Sequence, residues 1–233
     1  MDILRQNDLR EQLDALPALV ERAWQKPLGH PFMLELREGR LSRERLRGFL
    51  RSWHRCLIED NAGIAGVYYK HQSVIKIDVE LEDWLTVRIG RTLTRPSLGG
   101  APRVIRRIGA PLGISEEDFL KPVMNPEAFG YQGWLVKIYQ EAPLAELLAF
   151  FFGEDTRKAL LDPVMARALT EHYGSDREAA RALSEESKPE ESLRFLKQFI
   201  QNGEPFFRPG WGATYAATIQ AGMFSLLLDG LMS

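Results

Sequence analysis

Apolar residues recur every three to four positions along most of this chain, the spacing of amphipathic helices. Leu9, Leu13, Leu16, Val20 and Trp24 make one such stripe, with Asp8 and Glu11 before it reading as a capping box and Pro27 as its stop. His30-Pro31-Phe32 opens a short helix that Gly39 closes, and Ser42 caps a long one carrying Leu46, Phe49, Leu50, Trp53 and Leu57 as far as about Tyr69. Asn61, Gly63 and Gly66 weaken the second half of that helix.

Ile75, Ile77, Val79 and Leu81 alternate with charged residues, the period of a half-buried strand. With no second strand to pair with, the segment reads as a connector into a helix over about Asp78 to Leu93. The Thr94 to Ala101 stretch reads as a loop, with Pro102 placed to start the next helix. Asn125-Pro126 starts a helix striped with Tyr131, Trp134, Leu135, Ile138 and Tyr139, and Pro143 restarts it as LAELLAFFF. Another helix is expected from about Asp155, a capping box at Ser175 and Glu178, a helix opened by Pro189, and an apolar last helix within Trp211 to Met232. The pattern predicts an all-α chain of roughly eight or nine helices around one core, in a single domain over residues 1–233.

Composition narrows the chemistry. Thirty basic and 32 acidic residues leave a net charge of −2, without the basic excess that nucleic-acid binding demands, so no nucleic-acid partner is expected. No apolar run is long enough for a membrane span, and the N-terminal residues lack a signal-peptide pattern. Cys56 is the only cysteine, which rules out an internal disulfide and fits a reducing, cytoplasmic setting. With four histidines in the chain, a metal site would draw heavily on carboxylates.

Several motifs, taken in order, resemble one family. His30-Pro31-Phe32, Gly39-Arg40-Leu41-Ser42 and Leu46 to Leu50 resemble the opening of the TenA and PqqC proteins. Ile105 to Leu120 (IRRIGAPLGISEEDFL) looks like their acidic turn, Tyr131 to Phe152 like their pocket helix, and Ile219 to Met232 like their last helix. The resemblance implies the haem-oxygenase-like fold: one all-α bundle enclosing a small-molecule pocket, commonly as a homodimer. It also implies three chemistries. TenA-type thiaminases use an aspartate, a cysteine and a late glutamate; those positions here hold Trp53, Phe151-Phe152-Gly153 and Gln220, so thiaminase activity is not expected. PqqC-type proteins oxidise a quinone precursor without a metal; His30 matches one of their histidines, while Trp53 and Glu59 stand near their arginine and lysine. The diiron oxidases of this fold carry His-x-x-x-Asp-x-x-x-His; His172 and Asp176 match, Ala180 does not, and Glu141 stands before Pro143 as their glutamate does.

The residues therefore suggest three readings. In the first, a PqqC/TenA-like, metal-free enzyme performs a cofactor-biosynthesis type of oxidation on a small aromatic or heterocyclic molecule. His30, His54 and Glu59 are its proton-moving candidates; Trp53, Tyr68, Tyr131, Trp134, Tyr139 and Gln220 line its pocket. In the second, Glu141, His172 and Asp176 hold an iron ion as the remnant of a non-haem iron oxidase. In the third, the chain binds a small ligand without catalysis. Against these stand plainer roles: core packing for the aromatic residues, ion pairs of Glu59 with Arg55 and of Glu141 with Lys137, and a helix break at Gly174 that parts His172, as a core histidine, from Asp176. Arg103, Arg106 and Arg107 read as a solvated helix face.

Overall fold

The computed structural model describes residues 3–94, 100–121, 125–184, 187–202 and 206–232, and every regular element among them is helical. Helix α1 (Ile3–Leu28) is already helical at Asp8, so the expected capping box lies inside it, and it continues past Pro17 and Pro27. Burial of Leu13, Leu16, Val20 and Trp24 on one face outweighs the proline penalty of about 3 kcal/mol each. Helix α2 (Pro31–Arg37) and helix α3 (Arg43–Ile75) begin where His30 and Ser42 cap them. Helix α3 passes unbroken through Gly63, because a side chain there would strike the ring of Tyr139, with a Cβ only 2.2 Å from its Cδ2. The glycine that weakens the helix locally is what lets the next layer approach it.

Helix α4 (Val79–Thr94) follows a three-residue turn, and Ile77 within the alternating segment is 84% exposed, which accords with a connector. Residues 95–99 of the expected loop lie outside the described residues. Helix α5 (Ala101–Gly109), a single 3₁₀ turn and the short helix α6 (Glu116–Leu120) come next; Ser115 and Asp118 form a reciprocal capping box on α6. Helix α7 (Pro126–Glu141) is capped by Asn125, and helix α8 (Leu144–Leu160) starts after Pro143.

Helix α8 is the axis of the molecule. Its residues Leu144 to Arg157 are buried all round, and it packs against α1, helix α9 (Asp162–Tyr173), helix α11 (Pro189–Asn202) and helix α12 (Ala213–Asp229). The expected new helix at Asp155 does not occur: α8 runs straight through the charged Glu154, Asp155 and Arg157. Between α9 and helix α10 (Arg177–Ser184), Gly174 takes the left-handed conformation (φ 68°) and ends α9. Asp176, not Ser175, caps α10 by accepting from Ala179 N at 2.9 Å; the Ser175 hydroxyl instead donates to Ile108 O. Twelve α-helices are described, more than the eight or nine expected. Among the described residues, no helix is long and apolar enough to cross a membrane.

Candidate functional site

A cluster of buried polar groups lies where α3, α7, α8 and α12 meet. At its middle the carboxylate of Glu154, on α8, accepts hydrogen bonds from Gln220 Nε2 of α12 and from Arg157 Nη2 at 3.1 Å. Lys158 Nζ is 3.3 Å from the same carboxylate, and Arg157 is held from its other side by Asp162. Burial alone would raise the Glu154 carboxyl, but the adjacent Arg157 and Lys158 cations outweigh it and hold the group well below the usual carboxylate range. Glu154 is therefore an ionised acid inside the bundle.

Two aromatic hydroxyls complete the cluster. Tyr131 OH accepts from Gln220 Nε2 at 3.4 Å, and the Tyr139 hydroxyl donates to Asp60 Oδ1. Burial and the charge of Glu154 push the Asp60 carboxyl up, so this acid holds its proton to higher pH than a solvated aspartate. Burial likewise raises both tyrosines, leaving them neutral donors. Two carboxyls driven in opposite directions in one site are the arrangement that separates an anionic anchor from a proton carrier. The surrounding rings are close: Trp134 lies 5.9 Å from Tyr131 and 5.6 Å from Phe150, and the Arg157 guanidinium sits 5.6 Å from the Trp53 ring. Two hydrogen-bonding atoms on neighbours of Tyr131, Gln220 Oε1 and Trp134 Nε1, are buried without a partner.

Of the residues picked from the sequence, the fold gathers Trp53, Tyr131, Trp134, Tyr139 and Gln220 around this cluster. Tyr68 sits elsewhere, its hydroxyl donating to Glu82 on α4. His30 stays at the start of α2, where Nδ1 accepts from Phe32 N at 3.1 Å and Nε2 pairs with Asp229 at 2.9 Å; it caps a helix. Glu59 is taken up by Arg55 and Gln132, each at 3.1 Å. His54 is fully buried but faces α5 and α6, with Arg106 Nε donating to its Nε2 at 3.2 Å and Phe119 stacked 4.8 Å from its ring. The proton-moving candidates are thus placed away from the centre, and the acids that occupy it are Glu154 and Asp60.

The three residues suggested for iron do not converge. Glu141 is exposed and pairs with Arg208 at 3.5 Å and Lys137 at 3.8 Å. His172 is exposed rather than a core histidine, with Nε2 3.1 Å from Arg37 O, while Asp176 caps α10 and binds Arg107 at 2.7 Å. The left-handed Gly174 turns the chain between His172 and Asp176, so they never share a helical face. Among the described residues, no group of three or more His, Cys, Asp or Glu side chains is placed to hold a metal ion, so the donor set that the iron reading needs is not assembled here. Cys56 is buried, and its thiol is pushed up to about 12, first by burial and then by Asp60 and Glu59. That is the behaviour of a packing residue, not a nucleophile.

Sequence reasoning missed Glu154, Asp155, Arg157 and Asp162. Their signal was a run of charged residues, Glu154 to Lys158, directly continuing an apolar helix with no glycine or proline after Gly153 to end it. A helix that stays central while turning polar must bury those charges against each other.

No family model matches the sequence, and neither does any curated protein sequence. Solved structures do match its shape. A TenA homologue from Pseudomonas syringae pv. tomato superposes with a TM-score of 0.74 at 14% identity, over 94% of this chain and 91% of that one. A domain of unknown function with a haem-oxygenase-like fold from Shewanella denitrificans gives 0.69 at 13% identity, over 94% and 91%. A candidate TenA-like thiaminase from Sulfolobus solfataricus gives 0.63 at 13% identity, over 94% of each chain. The chain has the haem-oxygenase-like fold, as an all-α bundle.

Proposed function

We propose that this chain is a TenA/PqqC-like enzyme that binds a small aromatic or heterocyclic molecule where α3, α7, α8 and α12 meet, and works on it by moving protons. The observation that carries this reading is the pair of buried, unpartnered atoms on two neighbours of Tyr131: Gln220 Oε1, an acceptor, and Trp134 Nε1, a donor. Each such orphan costs about 1–3 kcal/mol, which a ligand bringing one donor and one acceptor recovers on binding. A nitrogen heterocycle offers both along one edge, and the rings of Tyr131, Trp134 and Phe150 supply walls for its faces.

Charge refines the substrate class. The ionised Glu154 favours a neutral or cationic ring over a poly-acid, in contrast to the cation-lined pocket that the PqqC resemblance implies. Asp60 is the proton carrier in this reading: burial and the charge of Glu154 make its carboxyl hold a proton more tightly than a solvated aspartate does, while Tyr139 orients it. Two of the fold neighbours bear the TenA name, which agrees with a heterocyclic ligand without specifying the reaction. Oxygen uptake with a bound heterocycle tests the oxidative, PqqC-like version of the chemistry; appearance of a cleaved product tests the TenA-like version.

The binding claim is tested by screening nitrogen heterocycles for thermal stabilisation and titrating the hits against wild type, Glu154→Gln and Tyr131→Phe. A hit that loses about tenfold or more in affinity on Glu154→Gln, and less on Tyr131→Phe, is the expected result. Hits that bind Glu154→Gln as tightly as wild type would overturn the reading.

A further inference from the structure

A concavity of about 410 Å³ is lined by Arg103, Arg106, Arg107, Ala110, Ile114, Glu116 and Phe119. We propose that it is a separate binding site for a small organic anion, a carboxylate or phosphate ester with an aromatic body, gripped by Arg103 and Arg106 and seated on Phe119. This site shares no lining residue with the cluster around Glu154, and the inference does not depend on the function proposed there.

The arginines stand at i, i+3 and i+4 on α5, a spacing that puts them on one face. They are not equivalent. Arg107 is spent, with Asp176 at 2.7 Å and Glu178 at 2.8 Å. Arg106 is pinned from behind, since its Nε donates to His54 Nε2 at 3.2 Å. That contact uses the one N–H that is not part of the terminal fork, and leaves the two amino groups of the guanidinium for a ligand. One of these stands 3.6 Å from Glu116, whose side chain is 83% exposed. An ion pair so open contributes at most about 1 kcal/mol, so an entering anion displaces Glu116 at little cost. Arg103 is exposed, and no carboxylate of the described residues pairs with it. A planar anion can therefore bind Arg106 through a two-pronged contact while Arg103 adds a second charge.

His54 explains why the pinning holds. Accepting at Nε2 places its proton on Nδ1, an atom that is buried and has no partner. Burial, then Arg106 and Arg55, lowers this imidazole to about 4, so it remains a neutral acceptor at physiological pH. It is a positioning residue for Arg106. The floor of the cavity is apolar: the Phe119 ring, itself stacked on His54 at 4.8 Å, together with Ile114 and Ala110. Charged donors above an aromatic floor select an anion with a ring over a bare anion.

Calorimetric titration with phenyl phosphate, benzoate and inorganic phosphate tests this. Phenyl phosphate or benzoate is expected to bind saturably at one site, and whichever binds more tightly identifies the anionic group. Arg103→Gln and Arg106→Gln should each weaken binding about tenfold, and Glu116→Gln should tighten it about threefold. Arg103 is exposed, so its replacement leaves the fold intact and keeps the test readable. No saturable binding of either ring anion would overturn the proposal, as would equal affinity in the Arg103→Gln and wild-type proteins. Inorganic phosphate binding as tightly as phenyl phosphate would also overturn it, because the aromatic floor would then contribute nothing.

Discussion

Glu154 and Asp155 are neighbours on α8, both buried and both acidic, yet they face two different worlds. Asp155 looks outward to α4 and α11. Arg88 Nη1 reaches its two oxygens at 2.9 and 2.7 Å, the Ser192 hydroxyl donates to it, and the Arg88 guanidinium lies 4.4 Å from the Phe151 ring. Glu154 looks inward to α7 and α12, where its own oxygens are bonded but the groups around it keep unfilled capacity at Gln220 Oε1 and Trp134 Nε1. The first side is a lock between helices. The lock keeps an unpartnered donor too, Arg88 Nε; on the second side both an acceptor and a donor are left over, the combination that a ligand with one of each would fill.

Breaking the lock should have the largest effect. Asp155→Ala strands the Arg88 guanidinium in the interior, and urea unfolding should show a loss of about 3–5 kcal/mol. A loss below about 1 kcal/mol would mean that the pair is not what ties α4 and α11 to α8.

His54 is intermediate between the two cases, with one nitrogen bonded and the other not. Its folded pKa, about 4, lies below the ordinary 6.5, so the unfolded chain takes up a proton that the folded chain refuses. The associated stability is complete above pH 6.5 and drains away as pH falls toward 4, by on the order of 2 kcal/mol. Chemical denaturation across that range should show the wild type losing this much relative to His54→Phe. Parallel pH profiles for the two proteins would contradict the placement of His54 as a neutral buried acceptor.

The smallest effect should come from the exposed end of the comparison. Glu141→Ala removes only open contacts to Arg208 and Lys137, because Arg208 keeps its stronger hold on the buried Glu146 at 2.7 Å. The change in unfolding free energy should stay within about 0.5 kcal/mol.

These contrasts also show what the sequence made legible. Helix starts were readable at Ser42, Asn125, Pro143 and Pro189, because capping is local chemistry between residues two or three apart, whereas the boxes read at Asp8 and Ser175 do not cap their helices. The aromatic stripe of α7 was readable as a set of pocket candidates from its helical spacing, and Gln220 from its place in the family resemblance. Asp60 was readable as an acid within an apolar stretch, able to serve as a general acid or base if buried; Glu154 and its neighbour Asp155 were not. Asp155 is neutralised by Arg88, 67 positions away, and Glu154 accepts a hydrogen bond from Gln220, 66 positions away. With those partners out of view, the charges after LAELLAFFF read as the start of another helix near Asp155. The histidines carry suggestive chemistry in sequence but bond to backbone in the fold, His30 at Phe32 N, two positions on, and His172 at Arg37 O, 135 positions away.

The central claim is that the unfilled atoms around Tyr131 await a heterocyclic ligand. A crystal structure with a heterocycle from the thermal screen tests it most directly. The account predicts the ring beside Tyr131 and at the edge of Trp134, with a donor on Gln220 Oε1 and an acceptor on Trp134 Nε1. A ligand bound elsewhere, with both of those atoms still unpaired, would contradict it.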